Sequence, residues 1–174
     1  MGDARVVTIG HDGQIGHPIG REEAHRAPGV LHVAVSVQVV DHDGTWLLQR
    51  RAESKPAFAG CWANSCCTHP GVGEDPARAG VRRLGEELGL VVDSLQTAGV
   101  FVYRATDPAS GLVEHEVDHV FVAVTDTTSA SIDAREIAEL ARLPYREALQ
   151  LAASPGAAPW AAEVLRRSFE ALSK

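Results

Sequence analysis

Apolar residues recur along the chain with two different spacings. Short runs rich in valine, isoleucine or aromatic residues, bounded by turn residues, predict strands over residues 6–9, 14–15, 31–40, 45–49, 62–67, 95–103 and 116–124. Apolar residues on one helical face predict helices over residues 144–153 and 160–172. Asp75 and Pro76 suit the start of a further helix, and Gly89 suits its end. This mixture predicts an α/β sandwich around a mixed sheet.

Composition limits the class of protein. The 174 residues fit one domain, residues 1–174, and the apolar content of 45% is typical of a globular protein. A net charge of -7 argues against a nucleic-acid partner. Because the chain has neither a run of about 20 apolar residues nor a signal pattern, we expect no membrane partner. Three cysteines form no disulfide framework, which favours a cytoplasmic protein with reduced thiols.

The N-terminal segment and the assembly state are weaker expectations. Residues 1–26 contain His25 but little apolar sequence, so we expect this segment to stay mobile until metal or substrate orders it. A monomer is the simplest assembly for a chain of this size.

Imidazoles and carboxylates in three separate segments are candidate metal ligands. They are His25, His32, His69, Glu114 and Glu116. On an extended segment Glu114 and Glu116 leave the same face and can reach one ion. Imidazole with carboxylate suits zinc, manganese or iron, and carboxylate oxygens also suit magnesium. The alternative is a set of surface histidines and an exposed edge strand with alternating charge.

A thiol stands two residues from one of these imidazoles. Cys67 precedes His69 by two positions, so on a strand both side chains face the same way, whereas Cys66 faces the other way. A thiol beside a cation has a lowered pKa and can act as a base or nucleophile. The alternative for Cys67 is a small buried apolar residue, a description that fits Cys66 and Cys61 better.

Basic residues are clustered in spite of the acidic composition. Arg50, Arg51 and Lys55 lie close together in the sequence, and Arg82 is followed by Arg83. Such clusters can bind a small anion, or they can be solvated surface charges. The sequence alone leaves both interpretations open.

The helix that follows Glu74 resembles the signature helix of the Nudix family, whose carboxylates bind magnesium attached to a diphosphate. Glu74, Arg82, Glu86 and Glu87 carry the match, whereas Arg83 replaces an acidic residue. Other runs resemble the type 1 isopentenyl-diphosphate Δ-isomerase family, a divergent branch of the Nudix proteins. These runs cover residues 24–32, 50–55, 62–70, 103–107 and 114–117. The resemblance implies a Nudix-like α/β/α sandwich.

The same resemblance implies two metal sites. A resident divalent metal, manganese, zinc or magnesium, would be bound by His25, His32, His69, Glu114 and Glu116. A second ion, Mg²⁺, would be held by Glu87 and the backbone region of Cys67, and would bridge to the substrate diphosphate. Oxygen ligands with bridging phosphates suit the coordination preference of Mg²⁺.

The resemblance also implies catalytic and substrate-binding residues. Cys67 and Glu116 would be the acid/base pair, with help from Tyr103. The phosphates would be contacted by Arg21, Arg51, Lys55 and Arg83, where Arg21 replaces an expected lysine. Trp160 would cover the hydrocarbon.

The implied reaction is the reversible isomerisation of isopentenyl diphosphate to dimethylallyl diphosphate, early in isoprenoid biosynthesis. Protonating the alkene approaches a tertiary carbocation, which needs a dry site beside an aromatic face such as Trp160 or Tyr103. Our preferred assignment has Glu116, with Tyr103, deliver a proton to the terminal methylene. Cys67 as thiolate then removes a proton from C2.

Two alternatives belong to other classes of function. One is a Nudix-type hydrolase of a diphosphate-linked small molecule, which leaves Cys67, Tyr103 and the imidazoles without a task. The other is a non-catalytic metal-binding protein, which leaves the basic cluster unexplained. Loss of activity in Cys67→Ala with metal still bound would distinguish an isomerase from both.

Overall fold

The computed structural model describes residues 5–174. The first half of this region contains β1 (Arg5–Ile9), β2 (Ile15–Gly20), α1 (Arg21–His25), β3 (His32–Val40), β4 (Trp46–Arg51), β5 (Trp62–Ala63) and β6 (Cys66–Thr68). The second half contains α2 (Pro76–Leu88), β7 (Gln96–Thr106), β8 (Val113–Val124), β9 (Ile137–Leu143), α3 (Tyr145–Ala152) and α4 (Ala161–Leu172).

Strand β3 is the centre of the sheet. On one side it pairs in parallel with β8 along its whole length. On the other side it meets β1, β6 and β4 in turn, all antiparallel. Beyond β8 lies β7, and beyond β4 lies β9. All nine residues of β3 are buried, because a central strand of a mixed sheet is covered on both faces.

The two faces of β3 contribute to different apolar cores. Val35, Val37 and Val39 pack with Leu84 and Leu88 of α2. On the other face Val40 joins a cluster that includes side chains of α3 and α4. The sheet therefore lies between helices, and the predicted α/β/α sandwich around a mixed sheet is confirmed.

Helix α2 begins and ends as the sequence predicts. The side chain of Asp75 accepts a hydrogen bond from the backbone N–H of Arg78, and Pro76 occupies the first helical position. At the other end Gly89 adopts a left-handed conformation with φ of 63°, which glycine tolerates without strain. These two ends fix the span of α2, and with it the positions of Glu86 and Glu87 in the last turn.

Several elements differ from the predicted ones, and the strand predicted over residues 62–67, for example, is divided into β5 and β6. The pattern missed α1, which is only five residues long, and β9, whose sequence Ile-Ala-Glu-Leu-Ala-Arg-Leu favours a helix. Pairing with β4 overrides that preference in β9. Strand β8 begins at Val113 rather than 116, because Val113 and Glu114 pair with the end of β7.

The N-terminal segment is described from Arg5 onward. Strands β1 and β2 form the predicted hairpin, and α1 follows directly and ends at His25. The expected mobility of residues 1–26 stays a prediction, and residues 1–4 lie outside the described part of the chain. Among residues 5–174, no helix is long and apolar enough to cross a membrane.

The close approach of α2 to the sheet gives a testable prediction. A Cβ atom on Gly80 would lie 2.7 Å from Leu95 Cδ1 and 2.9 Å from Val37 Cγ2. We expect Gly80→Val to lower the free energy of unfolding, measured in urea, by about 1–3 kcal/mol through overpacking. At Gly85 the nearest atom is the Leu90 carbonyl oxygen at 3.8 Å. Gly85→Val should stay within about 0.5 kcal/mol of the parent, and equal losses would contradict this packing.

Candidate active site

A cavity of about 280 Å³ opens beside the face of the sheet that carries the even-numbered residues of β3 and β8. Ten of the predicted site residues line it: Arg21, Arg51, Lys55, Cys67, His69, Arg83, Tyr103, Glu114, Glu116 and Trp160. Of the other three, His25 and His32 lie in a cluster with Glu114 and Glu116, and Glu87 contacts Arg83. The structure thus brings together side chains from residue 21 to residue 160.

Five of these side chains converge on one point. His25, His32, His69, Glu114 and Glu116 each offer one donor atom, and these atoms all lie within 4.8 Å of one another. The strands produce this arrangement directly, because His32 is the parallel partner of Glu116 in the β3–β8 register. His25 arrives from the end of α1 and His69 from the residue after β6.

Backbone carbonyls orient two of the imidazoles. His25 Nδ1 lies 2.7 Å from the Arg21 carbonyl oxygen, and His32 Nδ1 lies 2.7 Å from that of Val30. A proton on each Nδ1 directs the Nε2 lone pair into the cluster, as in protein metal sites. His25 Nε2 then faces Glu114 Oε2 at 2.8 Å.

Facing lone pairs repel unless a proton or a cation lies between them. His32 Nε2 lies 3.1 Å from His69 Nε2, and His69 Nε2 lies 2.9 Å from Glu116 Oε1. Three imidazoles with two carboxylates form a donor set that suits a divalent transition metal. The residues present therefore fit a resident divalent metal, as the sequence predicts, and the donor types do not select one metal.

The side chains of this cluster shift one another's pKa values. Burial raises the pKa of Glu116, but the imidazoles of His32 and His69 outweigh burial and hold that pKa well below its usual value. Burial lowers the pKa of His69. Burial also opposes the charged form of His25, yet the hydrogen bond and the charge of Glu114 leave the His25 pKa raised. Glu116 is therefore ionised in these surroundings.

Cys67 lies beside this cluster on the same face of the sheet. It stands opposite Ser36 in the β3–β6 register, and its Sγ is 3.5 Å from Ser36 Oγ. Burial and the charge of Asp118 raise the pKa of the Cys67 thiol to about 12, although Arg51 opposes the change. The thiolate role predicted from the sequence thus requires positive charge that the protein groups alone do not supply.

Cys66 has the environment predicted for it. It is fully buried in the core with Val35 and Leu84, on the face of the sheet opposite the cavity. Burial raises its pKa well above the usual value. Cys61 packs at the edge of another core cluster, and none of the three cysteines forms a disulfide. The strand period therefore selects Cys67 for the cavity.

Aromatic rings form one wall of the cavity. Tyr103 and Trp160 have ring centroids 5.6 Å apart, and Phe58 meets Trp160 edge-on at 5.2 Å. Tyr103 pairs with Glu116 in the β7–β8 register, and its hydroxyl donates to Glu116 Oε2 at 2.6 Å. Burial and the nearby carboxylate raise the Tyr103 pKa well above its usual value, so the hydroxyl keeps its proton.

Basic side chains form another part of the cavity wall, the basic wall. Arg51 is buried and donates to the carbonyl oxygens of Phe58 and Ala57, and its guanidinium carbon lies 5.8 Å from the centre of the Trp160 ring. Phe58, which contacts both Arg51 and Trp160, has a φ of 50°. This is a strained value for a residue other than glycine. Arg21, the first residue of α1, also lines the cavity.

Two of the predicted phosphate-binding side chains, Arg83 and Lys55, form ion pairs with carboxylates. Arg83 donates to Glu87 at 2.7 Å, to Glu136 at 2.8 Å and to Glu86 at 3.0 Å. Lys55 also pairs with Glu136. Glu87 is buried, and burial raises its pKa although the positive charges of Arg83 and Lys55 oppose the change. A buried carboxylate beside a basic cavity fits the expected role of Glu87 in binding a cation.

Sequence reasoning missed several polar residues around the cavity. Ser36 donates to Asp118 Oδ2 at 2.7 Å, and Asp118 is fully buried with a pKa that burial and Glu116 raise to about 8. Asn64 contacts Cys67, and Glu136 joins Lys55 to Arg83. Asp118 has a signal in the sequence, since it continues the alternation of Glu114 and Glu116. The position of Glu136 depends on tertiary structure alone.

Fold and site together define a NUDIX protein. The NUDIX domain family matches residues 30–167, which is more than half of the chain. A solved protein of Deinococcus radiodurans has a TM-score of 0.76 at 22% identity, covering 95% of this chain and 99% of that one. A MutT protein of Methanosarcina mazei has a TM-score of 0.67 at 17% identity, covering 83% and 96%. At these identities the solved structures show the fold alone.

Curated relatives define the family more narrowly. The chain is 50% identical over 145 residues to the isopentenyl-diphosphate Delta-isomerase of Nocardia farcinica, covering 82% of each chain. It is 43% identical over 164 residues to that of Streptomyces griseus, covering 92% of this chain and 81% of the relative. The chain therefore belongs to the isopentenyl-diphosphate Delta-isomerase family, and the resemblance inferred from its motifs is confirmed.

The donor cluster predicts stabilisation by a divalent metal. Mn²⁺ added to metal-free protein should raise the unfolding temperature in calorimetry, because a ligand at 100 times its Kd stabilises the folded form by about 2.7 kcal/mol. Glu114→Gln removes an anionic ligand and should reduce that rise. His115→Gln is the matched control, because His115 lies on the other face of β8 and contacts the Gly29 carbonyl. Equal rises in the two variants would contradict the assigned ligands.

Proposed function

We propose that the protein interconverts isopentenyl diphosphate and dimethylallyl diphosphate by transferring protons at two carbon atoms. One observation carries this proposal: Cys67 and Glu116 come from different strands and line one cavity, beside the aromatic wall of Tyr103 and Trp160. Moving a double bond requires one group that donates a proton and another that accepts one. The family membership supports the same reaction.

Glu116 and Tyr103 act together on one side of the substrate. In the direction that forms dimethylallyl diphosphate, the Glu116–Tyr103 pair delivers one proton to the terminal methylene: the proton starts on the Tyr103 hydroxyl, which is hydrogen-bonded to the ionised Glu116, and passes through that carboxyl. After turnover the pair regains a proton from solvent, and Cys67 releases the one that it took. Cys67 Sγ removes a proton from C2 on the other side. The reaction is reversible, so the two groups exchange roles in the opposite direction.

The aromatic wall stabilises the carbocation-like transition state. The faces of Trp160 and Tyr103 carry negative charge density that attracts a cation when water is excluded. Trp160 is only 3% exposed, and Phe58 packs against its edge. The hydrocarbon therefore lies against a rigid, dry surface, whereas the charged end of the substrate lies toward the basic wall.

Basic residues bind the diphosphate. Arg21, Arg51, Lys55 and Arg83 line the cavity and give this region positive charge in an acidic protein. Arginine can bind two phosphate oxygens at once. The carboxylates of Glu87 and Glu136 hold Arg83 and Lys55 in place before the substrate arrives.

Two divalent ions complete the proposed site. His25, His32, His69, Glu114 and Glu116 would hold the resident metal, which orients and tunes the Glu116 carboxyl. Glu87, with the backbone at Cys67, would hold Mg²⁺ that neutralises the diphosphate. Positive charge from these ions would also stabilise the thiolate form of Cys67.

A Nudix-type hydrolase is the alternative, and the same cavity counts against it. Its signature helix would use Glu86 and Glu87, but Arg83 stands where that signature has an acidic residue and pairs with both carboxylates. It also gives no task to Cys67 or to the five converging donors.

Proton and phosphorus NMR in heavy water distinguishes these reactions. With Mg²⁺ and isopentenyl diphosphate, we expect new allylic methyl signals, deuterium incorporation and an intact diphosphate. Cys67→Ala should lose most of this activity and keep its metal, whereas the matched Cys61→Ala should retain it, because Cys61 lies outside the cavity lining. Release of phosphate would identify a hydrolase. No reaction with metal demonstrably bound would support a non-catalytic metal-binding protein.

A further inference from the structure

Asn64 lies between the two side chains that are proposed to bracket the hydrocarbon. Its side chain is fully buried at the break between β5 and β6. The Cys67 thiol donates to Asn64 Oδ1 at 3.1 Å, and the Trp160 indole N–H donates to the same oxygen at 3.2 Å. One atom thus holds a reacting group and an aromatic wall that lie 93 positions apart in the sequence.

The orientation of the Asn64 amide is fixed from its other end. Nδ2 donates to the carbonyl oxygens of Val37 at 3.1 Å and of Cys66 at 2.8 Å. Rotating the amide by half a turn would place the oxygen against these two carbonyls and Nδ2 against the indole donor. Since neither contact can form a hydrogen bond, the partners allow only one orientation.

The hydrogen bonds of the neighbouring residue, Ser65, differ in kind from those of Asn64. Ser65 is also fully buried, but its hydroxyl contacts the Leu47 carbonyl at 2.5 Å and the Val39 N–H at 2.8 Å. Those bonds join strands away from the cavity. Asn64 instead directs its one acceptor atom at two side chains that line the cavity.

We propose that Asn64 is a positioning residue for the isomerisation, which sets the Cys67 thiol and the Trp160 ring relative to each other. The inference rests on the proposed function, because that function places the substrate between these two groups. The contact belongs to the protonated thiol, the form in which Cys67 gives a proton to C2 in the reverse direction and which it reaches after taking one in the forward direction. Without the shared oxygen, this thiol and the indole each rotate about their own side-chain bonds. Proton transfer is sensitive to such displacements, whereas the basic wall that binds the diphosphate is untouched.

Kinetics of Asn64→Ala test this role. We expect kcat to fall by about 10- to 100-fold while KM changes by less than about threefold. Ser65→Ala is the matched control, because it also removes a buried polar group from the same turn. Its kcat should stay within about threefold of the parent. An unchanged kcat in Asn64→Ala, or an equal fall in both variants, would overturn the inference.

An infrared measurement without substrate tests the contact itself. The S–H stretching band of Cys67, assigned by its loss in Cys67→Ala, should move to higher frequency in Asn64→Ala because the thiol loses its acceptor. It should not move in Ser65→Ala. If the wild-type protein isomerises the substrate but the S–H band of Cys67 does not move in Asn64→Ala, the inference is refuted. The proposed function is then intact.

A second variant keeps the test valid if Asn64→Ala does not fold. Trp160→Phe keeps an aromatic ring but removes the indole N–H, so Asn64 Oδ1 accepts from the Cys67 thiol alone. The S–H band should then move to lower frequency, opposite to the shift in Asn64→Ala. A band that stays in place in folded Trp160→Phe would show that the oxygen is not shared, which would also overturn the inference.

Discussion

The parallel pairing of β3 with β8 is the constraint on which the rest of the site depends. In this register His32 stands beside Glu116, and Ala34 beside Asp118. Side chains alternate between the faces of a strand, so a slip by one residue would turn the donors of one strand away from those of the other. The valines of the opposite face, packed on α2, fix the register by burying the alternate residues. The apolar packing on one face of β3 thus fixes which polar side chains meet on the other face.

Stability alone does not explain the polar layer beside this core. Buried carboxylates need partners, yet Asp118 Oδ1 has none among the described residues, and Glu114 Oε2 faces the Nε2 atom of His25 at 2.8 Å. The Nε2 atoms of His32 and His69 lie 3.1 Å apart, so a proton or a cation must lie between their lone pairs. A divalent cation would satisfy the five converging donor atoms together, whereas Asp118 lies outside that set. This polar layer is thus costly for stability alone, which is typical of functional sites.

Much of this arrangement could be predicted from the sequence, because strand period is a local property. Alternation placed Glu114 with Glu116, placed Cys67 with His69, and assigned Cys66 to the core. The ends of α2 followed from Asp75, Pro76 and Gly89. Roles of individual residues came from the family resemblance rather than from spacing. The metal ligands and the acid/base pair remain predictions that the geometry supports.

The remaining features depend on contacts between distant segments. Strand β9 has a helix-favouring sequence, and only its pairing with β4 makes it a strand. Glu136 joins Lys55 to Arg83 because that pairing brings residue 136 beside the cavity. The pKa of Cys67, about 12 with protein groups alone, also depends on burial that no local pattern reveals.

The most direct test of the account is a crystal structure of the metal-loaded protein with isopentyl diphosphate, a saturated analogue that cannot react. We predict that its hydrocarbon lies between Cys67 Sγ and the Glu116 carboxyl, against Trp160, with its diphosphate toward Arg51 and Lys55. A hydrocarbon outside the cavity, or with both groups on the same side of it, would contradict the two-sided proton transfer.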